Sequence, residues 1–164
     1  MRPGAGPTRS GVWQAAPVAP LTISWDEVAR RLAPARSYWL VTTDPSGAPH
    51  AVPVWGAVTG GALHCFTSRE TVKARHLARD PRVTIHLESA EHVVIVDGTF
   101  DTLGAPSDHP DVVRELDQKY PDPGDAEYLP SHDPSIDVLY RLVPLRARLW
   151  DLSEFESSQR RWHA

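Results

Sequence analysis

Thr67-Ser68-Arg69-Glu70-Thr71-Val72-Lys73-Ala74-Arg75-His76-Leu77-Ala78-Arg79-Asp80-Pro81-Arg82 joins two apolar, strand-like runs through one short helix. The run before it, Leu63 to Phe66, follows the turn pair Gly60-Gly61, and hydroxyls at Thr67, Ser68 and Thr71 surround the helix start. Helix N-termini leave backbone N–H groups unpaired and carry partial positive charge, which suits an anion. Lys73 and Arg75 lie two and four residues past Thr71, close enough for at least one of them to reach the same anion. Asp80-Pro81 ends the helix, since the residue before proline avoids helical dihedrals. The same residues also make an ordinary capped amphipathic helix with a solvated basic face, and spacing alone leaves both readings open.

Strand signals lie on either side of this segment. Upstream, Ser24 to Ala33 reads as a helix, with Ser24 as cap, Glu27 completing a capping box and Pro34 as the stop. Ser37 to Thr43 is rich in aromatic and β-branched residues and meets the turn Asp44-Pro45-Ser46-Gly47, so Ala48 to Val58 is its hairpin partner. Ala62 to Thr67 follows the Gly60-Gly61 turn. Downstream, Val83 to Glu88 and His92 to Leu103 read as strands, the second apolar on both faces near its start. Asp108 to Lys119 has helical spacing through Val112, Val113 and Leu116, and Tyr120 to Pro134 reads as an acidic, proline-rich loop. A last strand covers Ile136 to Leu142 and Leu145 to Asp151, with Pro144 implying an edge or bulge. Six strands punctuated by short helices predict a mainly β fold, a small barrel closed on itself. A parallel nucleotide-binding sheet would need helices between nearly all strands and a glycine-rich fingerprint after the first, which the chain lacks.

The 164 residues suit one domain: a proline-rich arm over residues 1–20, the barrel domain over 21–155 and a tail over 156–164. The single Cys65 excludes an internal disulfide and a cysteine metal cluster, and a reducing cytoplasmic setting is expected. A formal charge of -4 gives no bulk attraction to nucleic acid or to an anionic membrane. No apolar run reaches membrane-span length, and the opening residues lack a secretion signal's pattern. Eight histidines (His50, His64, His76, His86, His92, His109, His132 and His163) make no spaced metal motif, and the acidic stretch with Asp117, Asp122, Asp125, Glu127 and Asp133 does not match a calcium loop. No metal site is expected, and no catalytic triad is visible.

Three segments resemble the pyridoxamine 5'-phosphate oxidase-like superfamily of flavin- and deazaflavin-binding split barrels. They are Ser46 to Trp55, the opening segment ending in Leu77-Ala78-Arg79-Asp80-Pro81-Arg82, and Tyr140 to Trp150, within a match running from about Trp25 to Asp151. The resemblance implies a six-stranded, Greek-key split β-barrel and a homodimer with the cofactor in a groove at the interface. It implies a flavin ring against the strand at Val52, Pro53, Val54 and Trp55. The phosphate would sit on Lys73, with Thr67, Ser68 and Thr71 around it and Arg75 nearby, and Trp150 would border the site from the partner subunit. Packing in the core is the alternative role of Trp150.

The chain departs from the oxidase members of that superfamily, which have an arginine where it has Val72, and an arginine and a histidine two apart in the final strand where it has Arg146 and Arg148. The pattern looks closer to the deazaflavin branch. The leading expectation is therefore an oxidoreductase moving a hydride between the deazaflavin coenzyme F-420 and a small organic substrate, with Arg69, Arg75 and Arg79 as candidates for the coenzyme's polyanionic tail. An FMN-dependent oxidase or reductase is the alternative, and a non-catalytic cofactor- or haem-binding protein is the third reading. The terminal Gln159-Arg160-Arg161-Trp162-His163 either folds over a neighbour's groove or frays.

Overall fold

The computed structural model describes residues 20–164, so all but the last residue of the expected N-terminal arm lies outside the described residues. After β1 (Leu21–Thr22), Ser24 caps α1 (Trp25–Leu32) by accepting the Glu27 N–H at 3.3 Å. β2 (Tyr38–Thr43) and β3 (Pro49–Val54) form the expected hairpin. Its turn is built by Asp44, whose carboxylate accepts the N–H groups of Ser46 at 2.8 Å and Ala48 at 2.9 Å. Gly47 supplies the positive φ of +91° that side chains resist.

Next come β4 (Gly56–Thr59), β5 (Ala62–Thr67), α2 (Val72–Arg79), β6 (Arg82–His86) and β7 (His92–Gly104). A 3-10 turn (Pro106–Asp108) leads into α3 (Pro110–Lys119), then α4 (Pro123–Ala126) and the long β8 (Val138–Asp151). Another 3-10 turn (Leu152–Glu154), α5 (Phe155–Ser158) and β9 (Arg160–His163) complete the chain.

The strands close into a ring. β3 and β4 are two halves of one strand separated only by Trp55; the first half pairs with β2 and the second with β5. β5 pairs with β8, β8 with β7, β7 with β6, and β6 returns to β2, every pair antiparallel. Counting β3 and β4 together, these are the six strands predicted, and the crossover from β5 to β6 through α2 gives the Greek-key order. Closure satisfies edges that an open sheet would expose. Two strands are additional: β9 pairs antiparallel with β8, and β1 pairs parallel with β9. The segment expected as a C-terminal tail is thus part of the sheet, fixed by Trp162, whose ring lies 5.0 Å from that of Trp25.

Two apolar clusters hold the molecule together. Inside the barrel, Leu32, Tyr38, Leu40, Val54, Leu63, Cys65, Ile85, Val96, Leu142 and Leu149 pack from all six strands and α1. Outside it, α3 covers β4, β5 and β8 through Val112, Leu116, Tyr120, Ala57, Phe66 and Leu139. Truncating any of the fully buried leucines to alanine would cost ~2–5 kcal/mol. The stretch read as a loop over Tyr120–Pro134 is more structured than expected: Leu129 completes the outer cluster, and Asp125 on α4 is buried. In β8 the expected bulge is present. Asp97 faces Arg146 and Gly98 faces Pro144, so Leu145 is the extra residue, and it is 54% exposed. Among the described residues no helix is long and apolar enough to cross a membrane, and no three metal-ligating side chains converge.

Candidate functional site

The β3–β4 strand, the end of β5 and the start of α2 enclose a cavity of about 580 Å³ with the connection between α3 and β8. That volume falls within the usual range for small-molecule sites, roughly 300–1,000 Å³. Its lining is Pro53, Val54 and Trp55 from the bent strand, Phe66, Thr67 and Ser68 from β5 and its exit, Lys73 from α2, and Tyr128, Ser135 and Ile136 from the connection. Two ends differ in chemistry: Thr67, Ser68 and Lys73 make a cationic, hydroxyl-rich end, whereas Pro53, Trp55, Phe66, Tyr128 and Ile136 make an apolar one. None of the ten lining residues is acidic.

The polar end follows from the local fold. Thr71 is the N-cap of α2, its hydroxyl accepting the Ala74 N–H at 3.4 Å and donating to the Ser68 carbonyl at 2.8 Å. Its single proton is therefore in use. Thr67 Oγ1 lies 3.3 Å from Thr71 Oγ1, a long contact that leaves the Thr67 proton free to turn toward a better acceptor. Ser68 Oγ accepts the Glu70 N–H at 3.3 Å and keeps its own proton available. Lys73 is half-buried, forms no ion pair among the described residues, and has its pKa lowered by burial. A buried cation without a partner is costly, and an anion in the cavity would relieve that cost.

The apolar end rests on a hydrogen-bonded floor. The Trp55 ring is stacked on Tyr120 at 4.6 Å and meets Tyr128 edge-on at 6.2 Å. Tyr120 Oη donates to the Arg36 carbonyl at 2.7 Å and accepts the Gly56 N–H at 3.0 Å. Lys119 donates to Gly56 O and to Tyr38 Oη, both at 2.8 Å, and burial pushes its pKa down to about 8. Gly56 has to be glycine: a Cβ there would stand 2.3 Å from the His64 carbonyl oxygen on the paired strand.

Of the ten residues singled out from sequence, the cavity gathers six: Pro53, Val54, Trp55, Thr67, Ser68 and Lys73. Val54 buries its side chain in the barrel core, which leaves its backbone for the cavity. The other four do not line the cavity. Val52 packs inward against the core. Thr71 is committed to its cap. Arg75 turns away to donate to the Glu70 carbonyl at 2.6 Å. Trp150 lines a separate groove of about 180 Å³ with Arg148, Phe155, Arg160 and Arg161. The arginines considered for a polyanionic tail are also engaged: Arg69 pairs with Asp137 at 3.5 Å, and Arg79 donates to the carbonyls of Asp44 and Pro45. Phe66, Tyr128, Ser135 and Ile136 escaped the sequence reading. The aromatic Tyr128 inside an otherwise acidic stretch was the available signal.

A closed six-stranded barrel with an anion-ready cavity beside its bent strand defines the class. Residues 24–151 match the pyridoxamine 5'-phosphate oxidase family model, so the chain belongs to that family. No curated protein matches it. Among solved structures, it resembles conserved hypothetical protein Rv2991 from Mycobacterium tuberculosis, with 28% identity, 85% of this chain and 90% of that chain covered, and a TM-score of 0.65. It shares its fold with a heme binding protein from Mycobacterium smegmatis, at 24% identity over 77% of this chain and 54% of that one, with a TM-score of 0.61. An F-420 reductase also shares it, at 20% identity over 72% of this chain and 94% of that one, with a TM-score of 0.57. The family is flavin-related, and its fold is common to oxidoreductases and to binding proteins.

Proposed function

We propose that this protein is an oxidoreductase that holds a flavin-type cofactor in the cavity and moves a hydride between it and a small organic substrate. The observation carrying this reading is the meeting, in one cavity, of a half-buried lysine with no counter-ion among the described residues and two hydroxyls with an apolar, aromatic end. Lys73, Thr67 and Ser68 would hold the phosphate, and the β3–β4 backbone with Trp55 would face the ring. These donors fit a phosphate: three groups with available protons converge, with no carboxylate among the lining residues. When bound, such a cofactor supplies the carbon that carries the hydride, and the protein supplies orientation and electrostatics. The stack of Trp55 on Tyr120 fixes the apolar wall, and the closed barrel beneath excludes water from that side.

The deazaflavin F-420 is the first candidate, on the departures from the oxidase pattern at Val72, Arg146 and Arg148. FMN is the second reading, and one observation favours it: Arg69, Arg75 and Arg79 are all engaged, so among the described residues one protomer offers a single free cation at the cavity, matched to a single phosphate. Haem finds less support, because no histidine is among the lining residues. A homodimer fits the distribution of apolar residues outside the barrel. By register, Trp39, Val41, Val93, Ile95 and Trp150 face outward on β2, β7 and β8, and Pro53 of the cavity pairs with Trp39 on that same side. A second subunit on this face would bring its own Trp150 and arginines near the cavity. A cytoplasmic location accords with the single buried thiol.

Titrating the purified, cofactor-free protein separately with FMN and with F-420, at low and moderate salt, tests the reading. Binding of F-420 alone selects the deazaflavin, and a preference for FMN selects the second reading. Binding of neither refutes the proposal.

A further inference from the structure

Tyr128 is 57% exposed and contributes nothing to either apolar cluster, yet its position is closely fixed. Two anchors hold it within the α3–β8 connection. Three residues before it, the buried Asp125 receives Arg36 Nη2 at 2.7 Å from each carboxylate oxygen. Immediately after it, Leu129 is only 2% exposed, packed under α3. The Tyr128 N–H closes the turn on the Asp125 carbonyl at 2.9 Å.

Arg36 arrives from the link between α1 and β2, far away in sequence. Its guanidinium lies 5.4 Å from the Trp55 ring centre and 5.8 Å from that of Tyr120. The ion pair thus joins the connection to the aromatic floor of the cavity. Tyr128 meets the Trp55 ring at 85°, so the two rings form a corner at the apolar end. An exposed aromatic held at the mouth of a cavity, with its apolar face unused, is a surface for a ligand.

We propose that Tyr128 packs against the flat ring of the molecule in the cavity and so selects ligands with a planar conjugated ring, with Arg36 and Asp125 as its positioning pair. The inference rests on the cofactor reading above and adds to it the residue that recognises the ring. Asp125 acts through Tyr128: without Arg36 its carboxylate would be buried and unpaired, and the turn would leave the Trp55 corner.

The test compares Tyr128→Ala, Tyr128→Phe and Asp125→Asn with the parent, using FMN and riboflavin, or F-420 and its phosphate-free form. Tyr128→Ala should weaken both members of a pair by the same factor, roughly 2- to 12-fold for one aromatic contact, and reduce quenching of the bound ring's fluorescence. Tyr128→Phe should retain both properties. Asp125→Asn should also reduce the quenching, which a purely structural role would leave unchanged while lowering the melting temperature. If Asp125→Asn does not fold, the exposed Tyr128 variants decide alone. Unchanged affinity and quenching in Tyr128→Ala overturns the inference and leaves the cofactor reading standing. A loss confined to the phosphate-bearing ligand also overturns it, by placing Tyr128 at the wrong end. If the parent binds neither FMN nor F-420, the cofactor reading and this inference fall together.

Discussion

Replacing Lys73 by methionine keeps the apolar stem of the side chain and removes its charged, donating end. Lys73 is half-buried, its pKa is lowered by burial, and it has no ion pair among the described residues, so the free protein should tolerate the change or gain stability. Ligand binding should suffer. One charge-assisted hydrogen bond contributes about 1.5–3 kcal/mol, which corresponds to roughly 10- to 150-fold in affinity. Flavin fluorescence titrations of parent and variant with FMN and with riboflavin, which lacks the phosphate, isolate the effect. The parent should prefer FMN, and Lys73→Met should abolish most of that preference while leaving riboflavin affinity unchanged. The pH dependence supplies a second sign. Burial lowers the pKa in the free protein and a bound phosphate raises it. FMN affinity should therefore fall as pH rises past the lowered value, because binding then requires uptake of a proton. Lys73→Met should lack that alkaline decline. If a folded variant keeps the parent's ratio of FMN to riboflavin affinity, Lys73 does not hold the phosphate.

Three other perturbations probe the scaffold. Gly56→Ala forces a Cβ to within 2.3 Å of the His64 carbonyl, so thermal melts should show a loss of about 1–3 kcal/mol, at roughly 2–4 °C per kcal/mol; an unchanged midpoint would mean that the β4–β5 pair can spread. His64 is buried with Nδ1 unpartnered among the described residues, and burial lowers its pKa below the ordinary 6.5. Neutral His64 is favoured in the fold, so stability falls as pH drops below 6.5 and the unfolded chain takes up the proton first; denaturation of His64→Leu between pH 5 and 7, a window set by ~6.5 as the unfolded value, should show a shallower dependence than the parent, and equal slopes would count against the assignment. Burial pushes the Cys65 thiol up to about 12. A thiol reagent at mild alkaline pH should therefore leave the native protein unlabelled and react on unfolding, whereas fast native labelling would contradict the packed barrel interior.

The barrel was legible because its strands carry strong local signals. The turn Asp44-Pro45-Ser46-Gly47, the pair Gly60-Gly61 and the cap at Thr71 each encode their own geometry within a few residues. β9 was not legible: Arg160-Arg161-Trp162-His163 has one apolar residue, and its strand state depends on pairing with β8 and on Trp25, distant in sequence. In the cavity, Lys73, Thr67 and Ser68 could be read because they adjoin a helix start. Tyr128 could not be placed there, because its position depends on Asp125 meeting Arg36 across 89 positions. The arginines around the clamp show the reverse failure. Spacing puts Arg75 near the anion, but a nearby backbone carbonyl claims its guanidinium first.

The extra residue in β8 has a consequence for the strand's phase. On the N-terminal side of Leu145 the even-numbered Val138, Tyr140 and Leu142 fill the barrel; beyond it the odd-numbered Ala147 and Leu149 do so. The bulge is a frameshift written into the strand. Were Leu145 paired in regular register instead of bulged out, strict alternation would swing Arg146, Arg148 and Trp150 toward the interior, exchanging small and aliphatic side chains for two charges and an indole; excision of Leu145 would remove the bulge and leave Ala147 and Leu149 facing inward. Relatives with a working barrel should therefore bulge wherever they keep the extra residue, and those one residue shorter at this point should run straight with the same side chains inward.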